Sequence, residues 1–423
     1  MDQPGPVSSY INVAGRRTLD QAARQRFERR VRELEAFGHR GSATANEARA
    51  GDYLQRELEA IGLPSEREPF RGCRSVGLRV FLHLVVAGVG AALLWTFPLA
   101  TLLLGLIALG SFFLEEARGI PTLGRLVPGG PSSNVVARIA PRGDVQARLV
   151  LVAHYDTQRT GLMWREEIVR HVAPLLSRMP GMLKSPLFAV VFAMGAQVAL
   201  GAAALVWPEA VRHAGFGVLV VYGVAGGLTL DWGLGRFVPG ASDNGTGTAA
   251  AIALTEDWLG DPVGDVELTL LLTGCEEAGL QGATAWLRAH QGELNRVPTR
   301  FLNLDSLGYG RPRFLGGEHS LFGSPARYPS EVVRLCAEVA SQREMTDAGP
   351  KVLPVPTDGL AFLACGVEGA SVLCFDDHGH MPNYHQLTDT SDNLSFDIAW
   401  EAVSFSRDLL RRLAGLNEDG QEG

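Results

Sequence analysis

Residues 266–289 read VELTLLLTGCEEAGLQGATAWLRA. The first eight residues are mostly apolar, as in a strand buried on both faces. GCEE follows at once, and 278–289 then reads as a helix. Glu276 and Glu277 thus stand where strand gives way to helix. Two adjacent acids at such a point repel each other if both reach one pocket, and a metal ion would offset that cost for Glu277. The plainer alternative is a solvated first turn of helix.

Outward from this run the same alternation recurs. Helices are expected at 18–37, 46–61, 244–258, 278–289, 329–341 and 395–414. Strands are expected at 65–70, 133–140, 147–155, 266–273, 300–305 and 369–374. In the helix 46–61, Ala50, Leu54, Leu58 and Ile61 share one face, and Gly62 follows as a C-cap. Strands 133–140 and 147–155 are joined by a Pro-Arg-Gly-Asp turn and are expected to pair antiparallel. The alternation predicts an α/β fold, a three-layer sandwich with a mostly parallel central mixed sheet.

Several strand-like runs end in a metal-ligating residue type. ARLVLVAHY ends at His154, with Asp156 two residues on and on the same face, placed to orient the imidazole. GASDNGTGTA presents Asp243 among small residues at a helix start, where a carboxylate is electrostatically favoured. An Asx turn with an N-cap is the simpler reading of Asp243 alone. NLDSLG presents Asp305, and YHQLTDTSDN presents His385, with His378 and His380 as nearby competitors. Two histidines and three carboxylates suit two zinc ions sharing one carboxylate, with Asp243 spanning the roughly 3.5–4 Å between them. Glu276, beside a ligand, suits a general base.

The composition narrows the field. The chain has 423 residues and a formal net charge of -8, which does not suggest a nucleic-acid partner. Cys73, Cys275, Cys336, Cys365 and Cys374 are an odd, scattered set, which points to reduced thiols. Cys275 reads as a small buried residue more readily than as a nucleophile. The N-terminus is polar and lacks a signal-peptide pattern, and the NEDGQEG tail is expected to be disordered. No internal repeat is evident.

Two apolar blocks interrupt this pattern. Val80 to Leu114 contains no Asp, Glu, Lys or Arg, and Leu187 to Leu230 has only Glu209, Arg212 and His213 as potentially charged groups. Each reads as a helical hairpin, 80–96 with 99–114 and 187–207 with 214–230. A spanning helix needs about 17–25 apolar residues, a length the third segment meets comfortably and the other three only just. The domain assignment is therefore one discontinuous domain over 1–76, 118–186 and 232–423, with transmembrane hairpins at 77–117 and 187–231. Arg71, Arg74, Arg79, Arg118, Arg125, Arg178, Lys184 and Arg236 flank the hairpins on one side, against Arg212 with Glu209 on the other. The positive-inside rule then places the catalytic part in the cytoplasm, with the chain in a bacterial inner membrane.

HYD, SDNGTG, CEEAGLQG, NLDSLG and YHQLTDTSDN, in this order, resemble the co-catalytic di-zinc aminopeptidases of the bacterial leucine aminopeptidase type. Glutamate carboxypeptidase and glutaminyl cyclase are relatives of that family. The N-terminal HRGSATANEARAGDYLQRELEAIGL is similar as well, so the likeness spans the chain outside the hairpins. The resemblance implies His154 and Asp305 on one zinc, Glu277 and His385 on the other, and Asp243 bridging. It implies Glu276 as general base and Asp156 behind His154, and it selects His385 over His378 and His380. The hairpins depart from the family pattern. So does Thr357-Asp358-Gly359, where the family often has Ser-Asp-His, which puts substrate contacts in that loop in question.

The expectation is thus a membrane-anchored zinc exopeptidase, an aminopeptidase, acting on peptides that include hydrophobic or membrane-associated ones. Water activated by two zinc ions would attack the N-terminal peptide bond, with Glu276 as base. The alternatives are another amide hydrolase, a glutaminyl-cyclase-like activity, or a non-catalytic membrane receptor or scaffold. Side-chain preference and oligomeric state are not defined by these residues.

Overall fold

The computed structural model describes residues 20–178, 188–319, 325–345 and 347–415. The polar N-terminus, Lys184 and the C-terminal tail lie outside them.

The described residues form a nine-stranded mixed sheet. Its strands are β1 (Ser65–Cys73), β2 (Gly129–Ile139), β3 (Ala147–His154), β4 (Val266–Thr273), β5 (Thr299–Leu304), β6 (Arg311–Glu318), β7 (Ala326–Arg327), β8 (Lys351–Leu353) and β9 (Glu368–Phe375). The order is β1-β2-β4-β3-β5-β9-β6-β7, with β8 paired to β6. Parallel pairing holds from β4 through β3 and β5 to β9, and again between β6 and β8. The pairs β1–β2, β2–β4, β6–β9 and β6–β7 are antiparallel, so the sheet is mixed rather than mostly parallel. The difference comes from β2, antiparallel to both its neighbours, and from β6 with the short β7 and β8, which the apolar runs did not mark.

The expected pairing of β2 with β3 does not occur. β4 lies between them, antiparallel to β2 and parallel to β3. β4 is buried on both faces and fills the central position, which a tight turn between β2 and β3 would have closed.

Helices α1 (Gln21–Glu35), α2 (Ala45–Ala60), α8 (Gly247–Gly260), α10 (Ser330–Gln342) and α12 (Phe396–Gly415) cover one face. Phe27, Leu54, Ile252, Val339 and Leu409 join the even-numbered leucines of β4 in that core. Helices α9 (Gln281–Leu294) and α11 (Asp358–Ala364) cover the other, where Trp286 and Phe362 pack against Val150, Val152 and Phe301. Alternate side chains of each strand thus enter separate cores, as the pleat requires.

Helices α3 (Val76–Ala92), α4 (Pro98–Arg118), α6 (Phe188–Ala204) and α7 (Arg212–Leu234) form a separate four-helix bundle, and α5 (Glu166–Ser177) precedes its second half. In the bundle α3 packs on α4 and α7, and α6 on the same two. Glycines allow close approach: a Cβ on Gly77 would lie 2.7 Å from the Gly233 nitrogen, and one on Gly201 2.7 Å from the Leu102 nitrogen. Among the described residues, the two helices long and apolar enough to cross a membrane are Pro98–Glu116 and His213–Leu234, while the described part of the third segment, α6, has 17 residues. α6 stops at Ala204 because the chain turns before Trp207-Pro208, where a residue preceding proline disfavours helix.

β1 ends at Cys73 opposite Gly129, where β2 begins, beyond the carboxyl end of β4. The chain enters α3 at that edge. It returns from α7 through an isolated bridge between Phe237 and Arg159, close behind β3. Both halves of the bundle therefore join the sheet at its carboxyl edge.

Candidate metal centre

Strand register brings the candidate ligands together. His154 closes β3 opposite Thr273 of β4, so Glu276 and Glu277 follow on the adjacent strand. Val152 faces Asn303 on β5, and His154 and Asp305 each lie two residues further on. Asp243 comes from the irregular segment before α8, and His385 from the loop after β9. All lie at the carboxyl edge, where ligands gather in open α/β sheets.

Asp243 stands at the middle. Its Oδ1 is 3.3 Å from His154 Nε2, which is also 3.6 Å from Asp305 Oδ1. Its Oδ2 is 3.3 Å from His385 Nε2, which is also 3.3 Å from Glu277 Oε2. One carboxylate therefore faces two half-sites, each of one imidazole and one further acid. His154, Asp243 and Glu277 offer ligand atoms that all lie within 4.8 Å of one another. His378 is exposed, and among the described residues neither it nor His380 pairs with these acids. Cys275 is buried, its thiol directed at Glu47 over 3.4 Å, and burial pushes that thiol well above its usual range. It is a packed residue of the loop and no nucleophile.

These residues fit a cation. Asp243 Oδ2, Glu277 Oε1 and His385 Nε2 are buried without a hydrogen-bond partner. Glu47, Asp156, Asp243, Glu276, Glu277, Asp305, Asp358 and Asp389 are all buried at this edge, against His154, His385 and Arg40. Buried carboxylates in such excess repel one another unless positive charge is supplied. Burial, then the Asp243 charge, raises the Glu277 carboxyl to about 7. Burial raises Glu276 well above the carboxylate range, with Glu277, Asp358 and Asp305 adding to it and His154 opposing. Against the effect of burial, Asp243 is driven the other way by the two imidazoles that face it. An imidazole-and-carboxylate donor set suits zinc.

The supports of the site reach further than the motifs suggested. Asp156 Oδ1 lies 3.6 Å from His154 Nδ1, which has no hydrogen-bond partner among the described residues. Asp156 accepts the Glu276 amide at 3.0 Å, the Glu277 amide at 3.3 Å and the Ser42 hydroxyl at 2.6 Å. Asp389 accepts the amides of Ser242 (2.9 Å) and Asp243 (3.0 Å), fixing the backbone at the central carboxylate. Arg40, fully buried, donates to the carbonyls of Tyr155 (2.7 Å), Pro239 (2.9 Å) and Gly240 (2.8 Å). Glu47 accepts the Cys275 amide at 3.0 Å, and Gln158 donates to Glu277 Oε2 at 2.9 Å. Of these only Asp156 was singled out in the sequence. Arg40 and Glu47 lie in HRGSATANE and Asp389 in YHQLTDT, so the signal was present in strings already quoted.

Backbone conformation is constrained at the same places. Cys275, Ser306 and His385 adopt φ of 51°, 52° and 56°. Left-handed residues other than glycine cost on the order of 1–3 kcal/mol and persist where the surroundings over-determine them. Here they immediately precede Glu276, follow Asp305 and carry the second imidazole.

A wall of aromatic and aliphatic groups faces the centre. Trp164 meets the His385 ring edge-on at 4.4 Å and packs against Trp232 of α7 at 5.5 Å. Tyr384 stacks on His385 at 3.7 Å. Leu353, Val355 and Met381 line the narrow pocket above Glu276 and Asp305.

Residues 229–409 match Peptidase family M28. That segment holds Asp243, Glu276, Glu277, Asp305 and His385, while His154 precedes it. No curated protein matches the chain significantly. Among solved structures, the fold is similar to a Zn-dependent exopeptidase from Parabacteroides distasonis, with TM-score 0.54 and 12% identity over 93% of this chain and 99% of that one. It is similar to a glutaminyl cyclase from Fimbriiglobus ruber, with TM-score 0.54 and 14% identity over 97% and 99%. An aminopeptidase from Aneurinibacillus sp. strain AM-1 gives TM-score 0.52 and 13% identity over 92% and 93%.

Proposed function

We propose, from the premise that this chain carries a Peptidase family M28 domain and is a zinc metallopeptidase, that it is a membrane-anchored aminopeptidase with two zinc ions. The observation that carries the reading is the division of Asp243, one oxygen toward His154 and Asp305 and the other toward His385 and Glu277. His154 and Asp305 would hold one ion, His385 and Glu277 the other, and Asp243 both. Bound there, zinc supplies Lewis acidity toward water and a peptide carbonyl. Glu276 would take a proton from the attacking water and return it to the leaving amine. Its carboxylate suits that duty because it accepts no hydrogen bond from the described residues, and burial raises its proton affinity. Asp156, holding the amides of Glu276 and Glu277, would keep base and ligand in register. Leu353, Val355 and Met381 offer an apolar surface for the side chain of the N-terminal residue.

The membrane part of the reading rests on surface. Val89, Phe97, Leu99, Leu103, Ile107, Phe192, Val206, Trp207, Phe216, Val220, Val224 and Leu234 are each at least half exposed on the bundle or its turns. Water would not tolerate an apolar surface of that extent, whereas lipid does. Because the bundle joins the carboxyl edge, the site would open toward the bilayer surface. Trp164 and Trp232 would form a wall between the site and the membrane, and hydrophobic peptides would have preferred access. The catalytic domain would lie in the cytoplasm.

The test is metal analysis of the purified full chain with a panel of aminoacyl substrates. About two zinc ions per chain, cleavage of apolar N-terminal residues, and loss of both ions in Asp243→Asn are expected. One ion in the wild type, with occupancy unchanged in Asp243→Asn, would remove the shared carboxylate from the scheme.

A further inference from the structure

A second cavity lies apart from the metal centre, between the end of β1, the turn after α4 and the start of α9. Its volume is about 480 Å³, within the roughly 300–1,000 Å³ range of small-ligand sites. Arg71, Arg79, Arg125 and Arg288 line it, with Glu115 as the acid among its lining residues.

Glu115 is already committed. Its Oε1 accepts the amides of Thr122 (2.7 Å) and Gly124 (2.6 Å) and the Thr122 hydroxyl (2.6 Å), and its Oε2 faces Arg79. Arg79 is also taken up, pairing with Glu116 at 2.7 Å and donating to the Ala278 carbonyl at 2.9 Å. Arg71 and Arg125 form no ion pair with a carboxylate among the described residues, and Arg288 reaches the Gly119 carbonyl at 3.2 Å. Two guanidiniums, those of Arg71 and Arg125, therefore line the cavity without an ion pair among the described residues, and Arg288, already engaged, adds a third.

Glycines leave the cavity its depth. A Cβ on Gly279 would lie 2.8 Å from Arg79 Nη2, and one on Gly124 would be 2.9 Å from Arg79 Cδ and would strike the Glu115 carboxylate. Beside the opening, Leu126 is 74% exposed and Ile120 46%, an apolar rim next to Arg125.

We propose that this cavity binds the phosphate of an anionic phospholipid headgroup, with the acyl chains lying along Leu126, Ile120 and the outer face of α4. Guanidinium groups recognise phosphate oxygens by paired, charge-assisted hydrogen bonds. Basic pockets at the foot of membrane helices suit anionic headgroups. The placement rests on the membrane reading above, because only then does the cavity meet headgroups at the base of the bundle. A free phosphate shares the same chemistry, and the experiment separates the two. Arg79 connects the cavity to the loop of Glu276 and Glu277 through the Ala278 carbonyl.

The full chain in neutral detergent is titrated with dihexanoyl phosphatidylglycerol, dihexanoyl phosphatidylcholine or inorganic phosphate, with affinity and thermal unfolding as readouts. Phosphatidylglycerol should bind at least about tenfold tighter than either of the others, and Arg71→Gln/Arg125→Gln/Arg288→Gln should lose at least about tenfold in that affinity. Equal binding of the two lipids, or an unchanged triple variant, overturns the proposal. Inorganic phosphate binding as tightly as phosphatidylglycerol overturns the lipid assignment. Should the triple variant not fold, exposed Arg125→Gln alone is expected to lose about threefold, and unchanged affinity counts against the site. A chain monodisperse without detergent would remove the membrane reading, while the titration would still report on the cavity.

Discussion

At the carboxyl edge of the sheet, eight carboxylates are buried around two imidazoles and one guanidinium. Across the joint with the bundle, Val220 is 65% exposed on α7 and Phe192 66% on α6. The first region places charge inside, where it is costly, and the second leaves apolar side chains outside, where water would make them costly. Under the proposed function each arrangement gains from an external partner: cations would offset the acids, and lipid would cover the apolar shell. The two regions meet at one edge, so both partners would be engaged within a short distance of each other.

The sharpest break of this comparison falls on the charged side. Glu276→Gln keeps the shape of the loop and its backbone bonds to Asp156 while removing the proton acceptor. Turnover should fall on the order of 10²–10⁴-fold with zinc content unchanged. Near-normal turnover at full metal content would show that Glu276 is not the base. On the apolar side, Val220→Arg places a charge midway along α7. Inserting arginine at the centre of a membrane helix costs about 2.5–3.5 kcal/mol, so the membrane-inserted fraction should drop sharply. In a bundle facing water the same change would be harmless or would improve solubility, and that outcome would merge the two regions into one soluble class.

The two regions were not equally legible in the sequence. Of the candidate ligands, His154, Glu277 and Asp305 were readable because each ends or closely follows an apolar strand, and parallel pairing of β4, β3 and β5 sets them side by side, whereas Asp243 and His385 come from irregular segments. Asp389 and Arg40 were harder. Their role is to accept or donate to backbone groups of segments about 150 and 200 residues away, which periodicity does not show. The pairing of β2 was misread because a short turn usually joins neighbours, and here β4 takes the place between them. Strands β7 and β8, with two and three residues, are too short for any alternation to register. In the bundle, apolar length identified the helices. It misjudged which were long, since α4 continues through Glu115 and Glu116 and α7 through Asp231.

Asp389 gives a smaller and more specific test of the charged region. Asp389→Asn weakens acceptance of the Ser242 and Asp243 amides without touching a ligand atom. Metal affinity should fall about 10–100-fold, the usual range for partners behind a ligand. Equilibrium competition with a chelator measures it. Unchanged affinity would mean that the Asp243 segment holds its place through Arg40 and Gly240 alone.

The smallest expected effect belongs to the inside of the bundle, where polar groups do occur. Tyr222 of α7 donates to Gln197 Oε1 of α6 at 2.8 Å, and Gln197 donates to the Thr101 carbonyl of α4 at 3.2 Å. The Thr101 hydroxyl donates to the Gly90 carbonyl of α3 at 2.7 Å. One chain of hydrogen bonds thus ties all four helices, and Gly90 admits it: a Cβ there would lie 2.5 Å from Gln197 Nε2. In lipid such bonds average about 0.6 kcal/mol and seldom exceed about 1.7. Tyr222→Phe should therefore lower bundle stability by that modest amount, read as a small shift in thermal unfolding in detergent. Gln197→Leu should cost more, because it leaves the Tyr222 hydroxyl without an acceptor in an apolar interior and crowds Gly90 with a branched side chain. An equal effect of the two variants would mean that the Tyr222 bond carries the whole network. A larger effect of Tyr222→Phe than of Gln197→Leu would show that the hydroxyl does more than close the chain. Either result would shift the comparison, because the bundle would then depend on buried polarity as the metal edge does.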